Sequence, residues 1–359
     1  MKRIFFTPGP SQLLPRVPGY LNEAIGQGIP SLSHRSEEFR SIYKDTASGI
    51  RKVLGAPDGM HVFFMGSATE AMERIIQNCV EKESFHFVNG AFSARFFKIA
   101  QLLGKNPIKI ESPMGNPFDF SSVDIPKSAE LICITQNETS IGIAIKPENI
   151  NRLKKDHPNA LLAVDIVSCA PMVELDYSQV DMAFFSVQKC FGLPAGLGVL
   201  LANDRALQRS KELQTKGVSI GSYHNFQWMA EDEIKFQTPE TPNVLAIYLL
   251  GRVCAQFLQK GIERVRADCD EKAALLYGFF DAHPLFHPFI EDRSSRSKTV
   301  IVIAAPQGSQ PIIKKLKERG LVIGSGYSEY RERQFRIANF PAHSKDQMRA
   351  LLDAISTLS

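Results

Sequence analysis

Short apolar segments alternate with segments of helical periodicity along most of the chain, and this alternation limits the possible folds more than any other feature. Five apolar segments have the length of buried strands: residues 61–65, 131–135, 161–165, 182–186 and 198–202. Apolar residues recur at helical spacing in the segments between and around them: residues 36–54, 68–80, 92–103 and 147–155. Strands that are separated by helices pair in parallel. We therefore predict an α/β fold of three layers around a mainly parallel sheet.

The pattern changes in the last third of the chain. Two long helices are predicted, from residue 244 onward and over residues 261–280, and then shorter elements follow: a strand at 299–303, a helix at 311–319, a strand ending at Arg336 and a helix at 345–358. This succession is typical of a small α+β domain. A chain of 359 residues also exceeds the size at which one core stops growing. We predict a large domain at 15–255 and a small domain at 256–359 that includes the N-terminal segment 1–14.

Composition excludes several classes of partner. The net charge of +4 is small, and Lys and Arg are interspersed with Asp and Glu, so we expect no nucleic-acid binding. The apolar segments are too short to span a bilayer, and the start Met1-Lys2-Arg3 is followed by too few apolar residues for a signal peptide, so we expect no membrane contact. Six cysteines without CxxC spacing predict reduced core residues of a cytoplasmic protein and no metal site.

Two of the predicted strands lead into charged residues. The strand at 161–165 ends in Asp165, and Lys189 follows the strand at 182–186 on a short turn. Taken singly, either residue could be a solvated strand end. Ligands of open α/β sheets bind at the carboxyl ends of the strands, so a carboxylate and an amine there suggest one small molecule between them. Pyridoxal phosphate (PLP) fits, because its aldehyde needs an amine and its ring nitrogen needs an acidic partner.

The order of motifs along the chain resembles that of the class V aminotransferases among the fold-type I PLP enzymes. The resemblance is carried by Gly66-Ser67-Ala68-Thr69-Glu70, Asn89-Gly90-Ala91-Phe92, Asn137-Glu138-Thr139, Asp165, Gln188-Lys189 and Arg336. It is closest to the phosphoserine aminotransferase and serine or alanine:glyoxylate aminotransferase branch and extends over residues 7–339. The resemblance implies the three-layer PLP-transferase fold, with PLP as cofactor and an amino acid and a 2-oxo acid as substrates.

Roles for individual residues follow from the resemblance. It implies that Lys189 binds the cofactor covalently and moves the substrate proton, while Asp165 keeps the pyridine nitrogen protonated. Other cofactor-binding residues by resemblance are Gly66, Ser67, Ala68 and Gln188 at the phosphate, Phe92 stacked on the ring, Thr139 at the phenolic oxygen, and Thr241 from a second subunit. The substrate-binding positions are Gly9, His34, Arg35 and Arg336, with Arg336 holding the α-carboxylate. Thr241 in this role implies a homodimer with shared active sites.

The substrate remains open between two activities. His34-Arg35 and the segment 194–197 favour phosphoserine with 2-oxoglutarate, whereas Thr69 in place of an expected arginine and Phe92 in place of Trp favour serine or alanine with glyoxylate or pyruvate. A PLP lyase of the same class would need a catalytic cysteine well after the lysine, and none follows Cys269. A non-catalytic α/β binding protein is the further alternative, although the glycines at 192–198 lack the GxGxxG order. We expect phosphoserine aminotransferase activity.

Overall fold

The computed structural model describes residues 3–358, which form two large β-sheets, a short hairpin and eleven α-helices. The strands are β1 Ile4–Phe6, β2 His61–Met65, β3 Glu83–Val88, β4 Asn106–Glu111, β5 Leu131–Thr135, β6 Asn137–Glu138, β7 Ile143–Ala144, β8 Leu161–Asp165, β9 Met182–Ser186, β10 Gly198–Ala202, β11 His287–Pro288, β12 Val300–Ala304, β13 Leu321–Ser325 and β14 Gln334–Ala338. The helices are α1 Val17–Gly26, α2 Glu37–Leu54, α3 Ala68–Cys79, α4 Ala91–Leu102, α5 Pro147–Asp156, α6 Asp204–Thr215, α7 Phe226–Glu233, α8 Val244–Lys260, α9 Ile262–Asp281, α10 Gln310–Glu318 and α11 Lys345–Ser356.

The larger sheet has seven strands in the order β2-β10-β9-β8-β5-β3-β4. All of them run in one direction except β10, which is antiparallel to both of its neighbours. Strands β5, β8, β9 and β10 are buried along their whole length, as expected for strands covered by helices on both faces. The prediction of a mainly parallel sheet in an α/β fold is confirmed.

Two apolar cores lie on the two faces of this sheet. Because successive side chains of a strand point to opposite faces, Phe185 of β9 packs with Phe64 of β2 on one face. Phe184 and Phe63 pack on the other face. All six cysteines are buried free thiols, as the sequence predicted. The strands therefore form a rigid platform whose carboxyl edge can hold side chains in fixed positions.

The smaller sheet has five strands in the order β1-β13-β14-β12-β11. Strand β1 pairs in parallel with β13, so the beginning of the chain joins the sheet formed by its end. Strand β14 continues past Arg336 to Ala338, which corrects the prediction of a strand ending at Arg336 and places this arginine in mid-strand. The domain boundaries at 15–255 and 256–359 stay a prediction. The predicted small domain includes residues 1, 2 and 359, which lie outside the described residues. Residues 1 and 2 also belong to the segment that was considered as a signal peptide.

Helix α8 is the most apolar of the long helices; it packs on α2, and both helices contribute side chains to the core on one face of the large sheet. Within residues 3–358, no helix combines the length and the hydropathy that crossing a membrane requires.

Candidate active site

Asp165 and Lys189 lie together at the carboxyl edge of the large sheet. Asp165 is the last residue of β8, and β8 pairs in parallel with β9, which ends three residues before Lys189. Both residues are almost fully buried, with exposed fractions of 3% and 5%. A solvated strand end is therefore excluded for each of them, and their opposite charges interact across the edge of the sheet.

The Lys189 amine is held by contacts from three parts of the chain. Its Nζ donates a hydrogen bond to Thr139 Oγ1 at 2.9 Å and lies 5.1 Å from the centre of the Phe92 ring. Gly9 packs against its methylene chain. Burial lowers the pKa of Lys189, and the Arg336 charge acts in the same direction, while Asp165 and Glu138 oppose it. A buried lysine with a lowered pKa is a ready nucleophile.

Asp165 is a buried carboxylate that accepts a hydrogen bond from the Val167 backbone. One oxygen, Oδ1, accepts the Val167 N–H at 2.8 Å. Burial raises the pKa of Asp165 and outweighs the Val167 hydrogen bond and the Lys189 charge, which favour the ionised form. Thr135 lies opposite Asp165 in the β5–β8 register, and within residues 3–358 its buried hydroxyl has no hydrogen-bond partner. The edge of the sheet thus presents a carboxylate and a free hydroxyl side by side.

Glu138 fixes the start of α4 and with it the Phe92 ring. The side chain is fully buried and accepts the backbone N–H groups of Ser93 at 2.9 Å and of Phe92 at 3.1 Å. Its other oxygen accepts the Ser140 hydroxyl at 2.6 Å. A Cβ at Gly90 would lie 2.4 Å from Glu138 Cγ, so only glycine fits there. The sequence prediction did not assign this role to Glu138. The one local indication was Gly90, a glycine just before a predicted helix, which is typical of a close approach by another part of the chain.

The turn at Gly66–Ala68 lies at the positive end of α3 and is anchored on the same sheet edge. Ser67 caps the helix by accepting the Glu70 N–H at 3.1 Å, and the Ala68 N–H donates to Ser186 Oγ, at the end of β9, at 3.0 Å. Gly198 of β10 lies so close that a Cβ there would come within 2.4 Å of the Ser67 carbonyl carbon. The helix terminus, which favours anions, therefore lies at the end of β9, the strand that leads to Lys189.

Arg336 reaches this site from the small sheet. Its Nε donates to the Ser325 carbonyl at 2.7 Å and its Nη1 to the Thr139 carbonyl at 3.3 Å. The guanidinium lies 5.4 Å from the centre of the Tyr327 ring, a neighbour that the sequence did not reveal. Burial lowers the pKa of Arg336 to about 10, which leaves it charged at neutral pH. The two anchored N–H groups fix the plane of the guanidinium and leave its other donors for an anion.

His34, Arg35 and Thr241 form a second group. Arg35 Nη1 donates to Gln237 Oε1 and lies 3.9 Å from Asp232, while burial and the Arg35 charge lower the pKa of His34. Thr241 is exposed. Within the described part of the chain, no hydrogen bond or ion pair joins these three residues to the Lys189 group. The structure thus brings together Lys189 with Asp165, Thr139, Phe92, Gly9 and Arg336, and places Gln188 next to them, half-buried.

Comparisons with known proteins identify the family of this chain. The family model of the class-V aminotransferases matches residues 5–331. A solved phosphoserine aminotransferase from Cytophaga hutchinsonii is 43% identical, with a TM-score of 0.97, over 99% of this chain and 98% of that one. A putative phosphoserine aminotransferase from Mycobacterium leprae is 27% identical over 98% of this chain and 93% of its own length.

The fold is shared more widely. An alanine–glyoxylate aminotransferase from Nostoc has a TM-score of 0.82 at 20% identity, over all of this chain and 95% of that one, and this likeness concerns the fold alone. The predicted fold of the fold-type I PLP enzymes is therefore confirmed. Because the family model matches most of its length, this chain belongs to the class-V aminotransferases.

Proposed function

We propose that this aminotransferase uses PLP and transfers the amino group of phosphoserine to 2-oxoglutarate. The buried pair of Lys189 and Asp165 at one sheet edge is the observation that carries the cofactor assignment. The choice of phosphoserine is supported by the basic pair His34-Arg35 and by the full-length likeness to a phosphoserine aminotransferase. A cytoplasmic location is part of the proposal, and six unpaired buried thiols support it.

The residues at the site fit PLP in chemistry. An amine, a carboxylate, an aromatic face and a helix N-terminus are the groups that its aldehyde, ring nitrogen, ring face and phosphate require. The partnerless Thr135 hydroxyl beside Asp165 supports the same fit, because a buried polar atom without a partner is costly unless a ligand satisfies it. When bound, PLP supplies an electron sink that lets the α-carbon of an amino acid release its proton.

Each residue of the site would then have a separate role in the reaction. Lys189 Nζ would hold the aldehyde carbon of PLP, and its amine would accept the proton that the α-carbon of the substrate releases. Its lowered pKa favours the neutral amine that this step needs. Asp165 holds the proton on the ring nitrogen, and the Thr139 hydroxyl orients the Lys189 amine. Arg336 binds the α-carboxylate with its free donors.

We include a homodimer with shared active sites in the proposal. Arg35 contacts Gln237, which lies in the same loop as Thr241, so His34, Arg35 and Thr241 share one surface of the subunit. Within residues 3–358, no hydrogen bond or ion pair joins this surface directly to Lys189, and we propose that it completes the active site of the partner. Thr241 would then bind the cofactor phosphate there, and Arg35 the phosphate of the substrate.

A second candidate activity is serine or alanine:glyoxylate aminotransferase. It is favoured by Thr69, an exposed and uncharged residue at the turn where the resemblance to the phosphoserine enzymes leads one to expect arginine. The two candidates differ in one requirement, because only phosphoserine needs a cation for a second anionic group.

The test is the first half-reaction, followed by the loss of cofactor absorbance when phosphoserine, serine, alanine or glutamate is added. We expect phosphoserine to react fastest, and Arg35→Ala to slow it by about 10- to 100-fold with little effect on alanine. Arg349→Ala is the control, since Arg349 lies on α11 with an ion pair to Asp346 and should leave all four rates unchanged. Faster conversion of alanine or serine by the wild type would favour the second candidate.

A further inference from the structure

His224 lies two residues before α7, buried between two carboxylates that come from different parts of the chain. Its Nδ1 contacts Glu70 Oε1, and its Nε2 lies 2.9 Å from Glu240 Oε2. A neutral imidazole has one N–H donor and could satisfy only one of these carboxylates. Both contacts are hydrogen bonds only when the ring carries a positive charge.

The charges around His224 favour that state. Burial opposes protonation most strongly, but the hydrogen bonds to Glu240 and Glu70, together with the charges of these two carboxylates, outweigh it and raise the pKa of His224 to about 9. The other charged neighbour is Arg74 on α3, whose Nε lies 3.9 Å from Glu70, and the Tyr223 ring packs on the imidazole with a centroid separation of 4.1 Å. The imidazolium is therefore present at neutral pH and is lost as the pH rises through about 9.

The two carboxylates connect His224 to the Gly66–Ala68 turn and to the loop that carries Thr241. Glu70 accepts the Gly66 N–H through Oε2 at 2.9 Å, at the beginning of the Gly66–Ala68 turn. Glu240 directly precedes Thr241, and its carbonyl accepts the Thr238 hydroxyl at 2.7 Å. One imidazolium thus links the turn to the loop that carries Thr241.

We infer that His224 is a positioning residue for the cofactor phosphate, which holds Glu70 on the Gly66 amide and balances the Glu70 charge beside the phosphate-binding turn. This inference rests on the proposed role of that turn. Without the imidazolium, the Glu70 carboxylate loses its hydrogen-bonded counter-charge and keeps only the more distant charge of Arg74, so its repulsion of a phosphate dianion weakens phosphate binding. The same loss frees Glu240 and, with it, the Thr241 loop.

The experiment compares pyridoxamine 5′-phosphate with pyridoxamine as probes, because neither forms a covalent bond with Lys189 and they differ only in the phosphate. Their dissociation constants for the full-length protein without cofactor are measured by titration calorimetry at neutral pH. We expect the wild type to prefer the phosphorylated probe strongly. In His224→Gln this preference should fall by about tenfold or more while pyridoxamine binding stays the same.

His61→Gln is the matched control. His61 also lies between two carboxylates, Glu233 and Asp204, but at the opposite end of β2 from the turn. This variant should leave the preference for the phosphorylated probe unchanged. An equal fall in His61→Gln, or no fall in folded His224→Gln, overturns the inference.

The pH dependence gives a second readout that does not depend on the His224 variant folding. The preference of the wild type should decline as the pH rises through about 9, where His224 loses its proton. Glu240→Gln should move this decline to lower pH, because it removes one of the two carboxylates that stabilise the imidazolium. A decline that does not move contradicts the inference. A wild type with no preference for the phosphorylated probe would instead refute the proposed phosphate site, and the inference with it.

Discussion

Gly9 and Lys189 are in direct contact, and the contact leaves no room for a side chain at Gly9. A Cβ at this position would lie 2.9 Å from Lys189 Cε and 3.2 Å from its Cγ, and Gly9 has a φ of +132°, which L residues rarely adopt. The N-terminal segment thus forms one wall of the channel that holds the lysine. Gly9, which the sequence assigned to substrate binding, here confines the Lys189 side chain.

Gly9→Ala should therefore displace the Lys189 amine. We expect a loss of about 100-fold in the half-reaction rate, because a catalytic group misplaced by 1 Å typically costs that much. Gly19→Ala is the control, since Gly19 lies in α1 with nothing near its Cβ position. Equal rates for Gly9→Ala and the wild type, measured by loss of cofactor absorbance, would show that the contact does not matter.

The rate at which the protein binds PLP covalently should rise with pH, and this rise should occur at a lower pH than for a lysine with an unshifted pKa. Burial lowers the pKa of Lys189 from 10.5 to about 8, so the nucleophilic neutral amine gains population as the pH rises through about 8. Asp165→Asn should move this rise to lower pH, because Asp165 stabilises the protonated amine, and Arg336→Gln should move it to higher pH. Stopped-flow absorbance measures the rate. A rise near pH 10.5, or shifts of both variants in one direction, would contradict the assignment.

Glu138→Gln should destabilise the fold through the start of α4. The glutamine amide has one acceptor oxygen, whereas both oxygens of Glu138 accept hydrogen bonds. The amide NH₂ group would therefore face the backbone N–H of either Phe92 or Ser140, and that buried hydrogen bond is lost. We expect the free energy of unfolding to fall by about 2–3 kcal/mol. Urea denaturation checks this, with Glu148→Gln on the exposed start of α5 as a control expected within about 0.5 kcal/mol of the wild type. A Glu138→Gln midpoint equal to that of the control would mean that these bonds contribute little.

A shared active site predicts that two variants, each impaired with phosphoserine on its own, restore activity when they form a hybrid dimer. Lys189→Ala lacks the amine, and Arg35→Ala lacks the proposed phosphate contact in the partner site. In a hybrid dimer, one site receives intact Lys189 from one subunit and intact Arg35 from the other. Unfolding and refolding a 1:1 mixture should restore roughly a quarter of the wild-type rate with phosphoserine, since half of the dimers are hybrids with one good site each. If Arg35 serves its own subunit, mixing restores nothing.

The central elements of the fold could be predicted because their sequences are unambiguous. Five strands of the large sheet were predicted with their observed bounds, since each is a continuous apolar run between turn residues. Strands β3 and β4 were not predicted. Strand β3 is buried, but polar residues interrupt its sequence Glu-Ser-Phe-His-Phe-Val, and β4 at the edge of the sheet has the largely exposed and charged sequence Asn-Pro-Ile-Lys-Ile-Glu. A continuous apolar run is the signal that a sequence offers for such a strand, and neither β3 nor β4 has one.

The same reasoning separates the parts of the site that were predicted from those that were missed. Asp165 and Lys189 were found because the strands before them are apolar and their own charges stand out. Glu138 and His224 were missed because their partners are far along the chain: Glu138 binds groups 45 residues away, and His224 contacts Glu70 across 154 residues. No local pattern encodes such contacts, so only the folded chain reveals them.

One measurement tests the central claim most directly: borohydride reduction of the holoenzyme, followed by peptide mass mapping, with and without prior addition of phosphoserine. We predict a pyridoxyl adduct on the peptide that contains Lys189, and its disappearance when phosphoserine is added first, because the cofactor then leaves the lysine and carries the amino group. Alanine added in the same way should leave most of the adduct in place. An adduct on another lysine, or an adduct at Lys189 that phosphoserine does not remove and alanine does, would contradict the account.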